Sequence, residues 1–352
     1  TLHLRTVIGL LVAFGLLAAW VAHAQITNPL YRTFEILTPN DSMKANPVRV
    51  ITEYDAGAGN IYAGLASGWA VSLTDSTFYH YLSADSLIAP NTRDDLRDMA
   101  FDPTDGNVWA ATGAGLLFIG GTNRLLNTDS GLVSNNVWRV LPDTLGRVYF
   151  AIYGKRAGLF RLDTTATVSI DTLTDSIPGR IVYEMARDSS GNIWFGTDQG
   201  AAVYMGPGGW FAYDTSDGLP SMRVLSLAVD DSNNVWMGTG RGAVRFDQDT
   251  TWVNISDSLY HGAPVYAIAA TTWKTNLRHL TFFGTDSGLV SYRTADGAAT
   301  AFEYYTADST QDSLPSNFIQ ALHVVSDRGA RLDSLMRVWI GTEAGLTRMR
   351  KF

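Results

Sequence analysis

The sequence contains no cysteine, which removes several chemistries at once. Disulfide cross-links, thiol nucleophiles and a lipid anchor on a cysteine are excluded. Histidine is scarce too. Beyond residue 24 there are four histidines, with no H-x-H or H-x-x-x-H spacing that would hold a metal. A G-x-S-x-G nucleophile motif is also missing. We therefore expect no catalytic residues, no metal and no cofactor.

Charged residues are few, and acidic residues outnumber basic ones. Charged residues make up 17% of the chain, the formal net charge is −8, and no basic tract interrupts the sequence. Nucleic-acid-binding proteins and proteins held on anionic membrane surfaces carry basic patches for contact with phosphate groups. The composition argues against both classes.

Long apolar runs are absent except near the start. Residues 7–21 form an apolar run after Arg5, and Ala22-His23-Ala24 gives a small-x-small pattern. This run is shorter than the about 20 residues that span a bilayer, and the whole pattern is typical of a secretory signal. We predict a signal peptide at 1–24, Sec-type export to the periplasm, cell surface or medium, and no stable membrane insertion afterwards. A retained N-terminal helix is the alternative.

What the sequence does contain is a repeat. One motif recurs along the chain. It consists of an aliphatic residue, an aromatic residue, two residues of which the second is Gly or Ala, a polar turn, and then Gly followed by two apolar residues. A period of roughly 45 residues built from short strands is typical of a β-propeller. The sequence therefore predicts an all-β fold, a seven-bladed β-propeller of four-stranded antiparallel blades. The copies centre on Tyr62, Trp109, Tyr149, Trp194, Trp236, Phe282 and Trp339.

One blade shows the unit clearly. We predict its strands at 224–229, 235–239, 243–246 and 251–255, from the innermost to the outermost. The Asp- and Asn-rich segments between first and second strands are interpreted as hairpin turns rather than calcium loops. The small residue after each repeat aromatic is expected to make room for an aromatic of the neighbouring sheet.

The two ends of the chain complement each other. The last repeat has three strands, and residues 33–38 form a strand without a blade of its own. We predict that this strand, with Phe34, Ile36 and Leu37, completes blade 7 and closes a propeller spanning 33–352. Closure within one chain is favoured over closure of a neighbour's ring. Before it, an arm at 25–32 either pairs with another subunit or frays; its apolar residues are Ile26, Leu30 and Tyr31.

Several repeats share a recognisable sequence motif. Residues 191–200, 233–239 and 338–346 share an apolar-Trp-x-Gly-Thr core, and Asp217-Gly218-Leu219-Pro220 precedes an inner strand. These phrases resemble the two-component regulator propeller repeat over nearly the whole chain after residue 24. The resemblance implies a propeller fold and an exported location, since such repeats form the extracytoplasmic sensory part of membrane histidine kinases. No kinase or DNA-binding segment follows the repeats in this sequence.

A ligand, if one binds, is expected on the face formed by the second-to-third and fourth-to-first strand connections, around the central channel. The loop with Tyr153 and two cations is longer than its counterparts and is the best candidate for a specialised loop. The predicted ligand-binding residues are Trp69, Tyr153, Lys155, Arg156, Asp198, Arg241, Asp286 and Glu343.

Three functions fit the sequence. The first is an exported, non-enzymatic propeller that binds protein partners or copies of itself, favoured by the aromatic outer strands. The second is a freestanding ligand-sensing propeller that works with a separate signalling partner. The third is a propeller lyase, which would require His261, His279 and His323 to converge on the channel mouth with carboxylates.

Overall fold

The computed structural model describes 32–36, 47–54, 60–65, 68–74, 77–82, 96–119, 124–154, 160–162, 168–169, 176–249, 251–273, 278–295, 298–310, 314–325 and 336–351. Its regular structure is short strands. The helices in the described part of the chain are single 3₁₀ turns, such as Thr128–Ser130. None of them is long and apolar enough to cross a membrane.

The strands follow one another in hairpins. In chain order, the first fourteen are β1 (Arg32–Ile36), β2 (Val48–Tyr54), β3 (Asn60–Leu65), β4 (Gly68–Thr74), β5 (Thr77–Leu82), β6 (Leu96–Phe101), β7 (Val108–Thr112), β8 (Gly115–Ile119), β9 (Arg124–Leu126), β10 (Val137–Pro142), β11 (Val148–Ile152), β12 (Phe160–Leu162), β13 (Val168–Ser169) and β14 (Val182–Arg187). The second fourteen are β15 (Ile193–Thr197), β16 (Gly200–Tyr204), β17 (Trp210–Tyr213), β18 (Val224–Val229), β19 (Val235–Thr239), β20 (Gly242–Phe246), β21 (Trp252–Asn254), β22 (Val265–Trp273), β23 (Arg278–Thr285), β24 (Leu289–Ala295), β25 (Ala298–Tyr305), β26 (Ile319–Val325), β27 (Met336–Thr342) and β28 (Gly345–Lys351).

These strands pair into four-stranded antiparallel sheets. Sheets 1 to 6 are consecutive meanders, from β2-β3-β4-β5 to β22-β23-β24-β25, and sheet 7 has the order β1-β28-β27-β26. The first strand of each sheet contacts the first strand of the next, and β26 of sheet 7 contacts β2 of sheet 1. The protein is thus an all-β propeller whose blades are four-stranded antiparallel sheets.

Glycines after the repeat aromatics let neighbouring sheets approach. A Cβ on Gly341 of sheet 7 would lie 2.6 Å from Val48 Cγ1 of sheet 1, and one on Gly284 would lie 2.6 Å from Ile319 Cγ2. We expected an aromatic of the neighbouring sheet at these sites, and this expectation is wrong. The group that fills the space is the aliphatic residue that starts the next inner strand, because its short branched side chain fits between two backbones.

The repeat tryptophans of sheets 4 and 5 are held by the turn before them. The indole Nε1–H donates to the carboxylate of the turn aspartate, from Trp194 to Asp188 at 3.0 Å and from Trp236 to Asp230 at 2.9 Å. Asp230 also accepts hydrogen bonds from the Ser232 and Asn234 amides. These aspartates are fully used in closing hairpins, which explains the Asp-rich turns without a calcium ion.

A threonine fixes the turn after the second strand in five of the sheets. Its hydroxyl donates to the carbonyl three residues on, for example from Thr239 to Gly242 at 2.9 Å and from Thr342 to Gly345 at 2.9 Å. Gly242 has a φ of 82° and Gly345 one of 136°, a region that favours glycine. The recurring Gly-Thr-x-x-Gly motif therefore forms a tight hairpin turn.

The first strand pairs with the last. β1 runs antiparallel to β28, with Phe34 opposite Met349 and Ile36 opposite Thr347. The bounds Arg32–Ile36 lie close to the expected 33–38. The other features predicted at this end of the chain lie outside the described residues. These are the 1–24 segment, most of the 25–32 arm with Ile26, Leu30 and Tyr31, and Leu37.

Candidate functional site

Every inner strand begins with a buried aliphatic residue. These residues are at most 5% exposed and pack against the preceding sheet. They are Val48, Leu96, Val137, Val182, Val224, Val265 and Ile319. Because they fill the same space in every interface, this position is structural.

The next residue of every inner strand is a β-bulge. The ladder between the first and second strands of each sheet skips one residue, for example between Val182 and Glu184 opposite Thr197 and Gly196. A bulge leaves that residue unpaired and turns its side chain to a new direction. The bulge residues are Arg49, Arg97, Trp138, Tyr183, Leu225, Tyr266 and Gln320.

All of these bulge residues line one cavity. Its volume is about 480 Å³, and Arg139, Arg223 and Phe318 complete its wall. We call it the axial cavity, because it lies where the inner strands of all the sheets begin. Ligand sites of propellers are expected at the channel face, and the volume lies within the roughly 300–1,000 Å³ usual for small-ligand pockets.

The wall of the axial cavity combines guanidinium groups with aromatic rings. Arg97 lies 5.2 Å and Arg139 5.6 Å from the centre of the Trp138 ring. Arg223 lies 5.7 Å from the Tyr183 ring. Stacking on aromatic faces limits the rotation of these side chains. Arg97 Nη1 donates to Asn136 Oδ1 and to the Val137 carbonyl, and Arg139 Nη1 donates to the Arg97 and Trp138 carbonyls.

Apart from Arg139 Nε, which lies 3.5 Å from Glu184, two buried polar atoms in the wall have no partner among the described residues. They are the indole Nε1 of Trp138 and the amide Oε1 of Gln320. Leaving a buried donor or acceptor unpaired costs about 1–3 kcal/mol. Such atoms at the wall of a cavity indicate a place where a bound molecule would supply the missing partners.

A layer of carboxylates lies next to the cavity, on the residues that follow two of the bulges. Arg139 Nε lies 3.5 Å from Glu184 Oε2, and Asp98 accepts a hydrogen bond from the Val140 amide at 2.9 Å. Burial raises the pKa of Glu184 to about 7, although the Arg139 guanidinium acts in the opposite direction. Burial also raises the pKa of Asp98. The charge of Arg139 is thus partly balanced inside the protein.

Two of the predicted site residues lie close to the axial cavity, whereas Arg241 is not among the residues that line it. Tyr153 is 40% exposed and packs against Trp138 with ring centres 4.8 Å apart. Asp286 is exposed, and its carboxylate adds to burial in raising the pKa of the cavity residue Tyr266. Arg241 is exposed in a turn between second and third strands.

Two other predicted residues mainly hold loops. Asp198 accepts hydrogen bonds from the Arg180 and Ile181 amides at 2.8 and 2.9 Å. Glu343 accepts one from the Ser316 hydroxyl at 2.9 Å. Trp69 belongs to β4, where its backbone pairs with Gly64 and Tyr81. The remaining two predicted residues, Lys155 and Arg156, lie outside the described residues.

The histidines considered for a lyase lie on different elements. His261 is exposed in the loop after β21, His279 is in β23, and His323 in β26 lies 3.5 Å from Glu53. The described ranges contain no group of three or more His, Cys, Asp or Glu side chains that could hold a metal.

The sequence analysis did not identify the bulge residues. A bulge shifts the alternation by one residue, so that the buried Val182 and Met185 are three residues apart, but this shift is hard to recognise in a strand of six residues. Superposing the repeats gives a usable signal, because a uniform aliphatic residue is followed by a variable, often large residue. Arg-Trp-Arg at 97, 138 and 139 is then evident as a concentration of charge and aromatic surface.

Comparison with known proteins agrees with this fold. Residues 176–199 and 218–241 match the family model of the two component regulator propeller. No curated protein is similar in sequence.

Solved structures give a broader likeness. The extracellular domain of the hybrid two component system BT4673 from B. thetaiotaomicron matches with a TM-score of 0.69 and 16% identity, over 90% of this chain and 39% of that one. The corresponding domain of BT3049 matches with a TM-score of 0.68 and 17% identity, over 91% and 42%. The present chain is therefore less than half as long as either structure.

An enzyme shares the fold as well. Virginiamycin B lyase from Staphylococcus aureus, solved with Quinupristin, matches with a TM-score of 0.66 and 12% identity, over 91% of this chain and 99% of the lyase. At such identities the likeness concerns the fold alone. The chain is a propeller that carries the two component regulator propeller repeat at 176–199 and 218–241.

Proposed function

We propose that this protein is an exported, non-enzymatic propeller that recognises a ligand in its axial cavity and acts with a separate partner protein. The observation that carries the proposal is the set of bulges, which together bring arginine, tryptophan, tyrosine, leucine and glutamine side chains to one cavity. Structural requirements would be met by similar residues in every blade. Different residues at equivalent positions are what selective recognition of an asymmetric molecule requires.

The proposed architecture is one seven-bladed ring over 33–352, closed within the chain by β1 and preceded by a signal peptide at 1–24. The cyclic contacts between inner strands and the β1–β28 pairing support the ring. Export is supported by the similarity to extracellular domains of two component systems. Binding of a ligand by this fold has a precedent in the structural neighbour described as YCF48 bound to D1 peptide.

A screen of small molecules by thermal unfolding tests the proposal. A ligand at a hundred times its Kd stabilises the native state by about 2.7 kcal/mol. We expect hits whose effect is lost in the double variant Tyr183→Ala/Arg223→Gln and kept in Arg241→Gln, a substitution in an exposed turn. Hits that act equally on the double variant, or a screen without hits, would contradict an axial binding site.

Self-association is a second candidate, favoured by aromatic surface on outer strands. Phe211 in β17 is 50% exposed and Tyr304 in β25 is 47% exposed. Exposed aromatic residues are enriched at protein interfaces. We expect Phe211→Ser to lower the sedimentation coefficient of an assembled form, and Leu145→Ser, at a 71% exposed turn residue, to leave it unchanged. A monomer at high concentration would eliminate this candidate.

A further inference from the structure

The charge of the axial cavity is opposite to that of the protein. The chain carries a net charge of −8, yet Arg49, Arg97 and Arg223 line one small space. The Arg223 side chain is exposed, and its guanidinium makes no hydrogen bond or ion pair with the described residues. A guanidinium group binds a carboxylate through two parallel hydrogen bonds. The cavity is therefore suited to a ligand that carries a carboxylate.

The two buried atoms without a partner, Trp138 Nε1 and Gln320 Oε1, indicate which polar groups the ligand carries besides the carboxylate. Trp138 offers one buried N–H donor, and the Gln320 amide offers a buried oxygen acceptor. A ligand that satisfies both must bring one acceptor and one donor. Each peptide group has one C=O and one N–H, so a short peptide backbone carries both kinds of partner.

Aromatic rings in the cavity wall indicate a third feature of the ligand, an aromatic ring of its own. Tyr266 and Phe318 form an edge-to-face pair with ring centres 4.9 Å apart, and both line the cavity. Rings of a ligand are bound by such walls in edge-to-face or offset arrangements. A volume of about 480 Å³ limits the occupant to a short segment.

We propose that the axial cavity binds the C-terminal end of a peptide, with its free carboxylate on Arg223 and an aromatic side chain beside Tyr266 and Phe318. This inference rests on the proposed function, because it takes the axial cavity to be the binding site. It adds the chemical class of the ligand: a carboxylate, a peptide group and an aromatic ring in one short segment.

Isothermal titration calorimetry with three matched peptides tests this inference. They are acetyl-Ala-Phe as the free acid, the same peptide as the C-terminal amide, and acetyl-Ala-Ala as the free acid. We expect the free acid of acetyl-Ala-Phe to bind, and the other two to bind at least tenfold more weakly. In Arg223→Gln the difference between acid and amide should disappear, whereas Arg241→Gln should keep it.

Three results would overturn the inference: no binding of the free acid, equal affinity for acid and amide in the intact protein, or an unchanged difference in Arg223→Gln. The comparison of acid and amide uses the unmodified protein, so it does not depend on folding of a variant. Screening hits that are not peptides but are lost in Tyr183→Ala/Arg223→Gln would overturn the ligand class alone. A screen with no axial hits would overturn the proposed function as well.

Discussion

Two neighbouring positions of the inner strands follow opposite rules. The first position is always a buried aliphatic residue that fills the interface with the preceding sheet, as Val182 and Val265 do. The second position, one residue later, is a bulge that carries arginine, aromatic, leucine or glutamine side chains to the axial cavity. The comparison shows that each inner strand uses one residue for packing between sheets, and we propose that the adjacent one serves recognition.

The largest expected effect comes from removing β1, because this opens sheet 7 at the site where the ring closes. Deleting residues 1–38 leaves the outer edge of β28 without its antiparallel partner, β1 (Arg32–Ile36). An unpaired strand edge favours aggregation. We expect loss of cooperative unfolding and aggregation, measured by circular dichroism and light scattering.

The matched control for that deletion removes residues 1–31 only and keeps β1. It should melt like a protein that lacks only the predicted signal. Equal melting temperatures for the two deletions would contradict a role of β1 in closing the ring.

A smaller loss is expected when the interface between two sheets is overfilled. A Cβ on Gly238 would lie 2.7 Å from Val265 Cγ1 and 2.8 Å from the Val265 carbonyl oxygen. Overpacking of this kind costs typically 1–3 kcal/mol. We therefore expect Gly238→Ala to lower the free energy of unfolding by about 3 kcal/mol in urea titrations.

Gly240, two residues further on, provides the control. A Cβ there would lie 3.4 Å from Ser221 Oγ, which is an ordinary contact. Gly240→Ala should stay within about 1 kcal/mol of the original protein. A similar loss for both variants would show that the sheet interface does not depend on the small residue.

A moderate effect of pH is expected from the carboxylate layer. The pKa of Glu184 is raised from 4.5 to about 7 in the folded protein, so the folded state binds the proton more tightly than the unfolded chain. Stability from this group is therefore lost as the pH rises from about 4.5 to about 7. Since 29% of the Glu184 side chain remains exposed, we expect a loss of about 1–2 kcal/mol.

Glu184→Gln removes the titration and should flatten this part of the stability curve between pH 5 and pH 8. The same substitution at the exposed Glu343 provides the matched control. A slope that is identical in the original protein and in Glu184→Gln would contradict the raised pKa.

The fold could be predicted well because packing repeats in the sequence. The strands 224–229 and 235–239 coincide with β18 and β19, and the expected outer strand 251–255 is shortened to Trp252–Asn254. The alternation of apolar residues, the Asp turn and the Gly-Thr hairpin each require particular residue types, which can be recognised in the sequence. These local signals describe backbone geometry directly.

The site was harder to predict because its geometry arises between strands. Asp198 is typical of a polar turn in the sequence, and only the structure shows that two backbone amides occupy its carboxylate. Trp138 has the composition of a core residue, yet a bulge brings its Nε1 to a cavity wall without a partner. Neither the skipped ladder position nor the convergence of bulges on one axis can be detected within a single repeat.

The different roles of the first and second inner-strand positions can be tested on one neighbouring pair, Val182 and Tyr183. Val182→Ala should lower the free energy of unfolding by about 2 kcal/mol and leave the affinity for acetyl-Ala-Phe within twofold. Tyr183→Ala should change stability by less than about 1 kcal/mol and weaken that affinity at least tenfold. If instead Tyr183→Ala destabilises the protein as much as Val182→Ala and leaves binding unchanged, the second position is structural and the account of the axial cavity is contradicted.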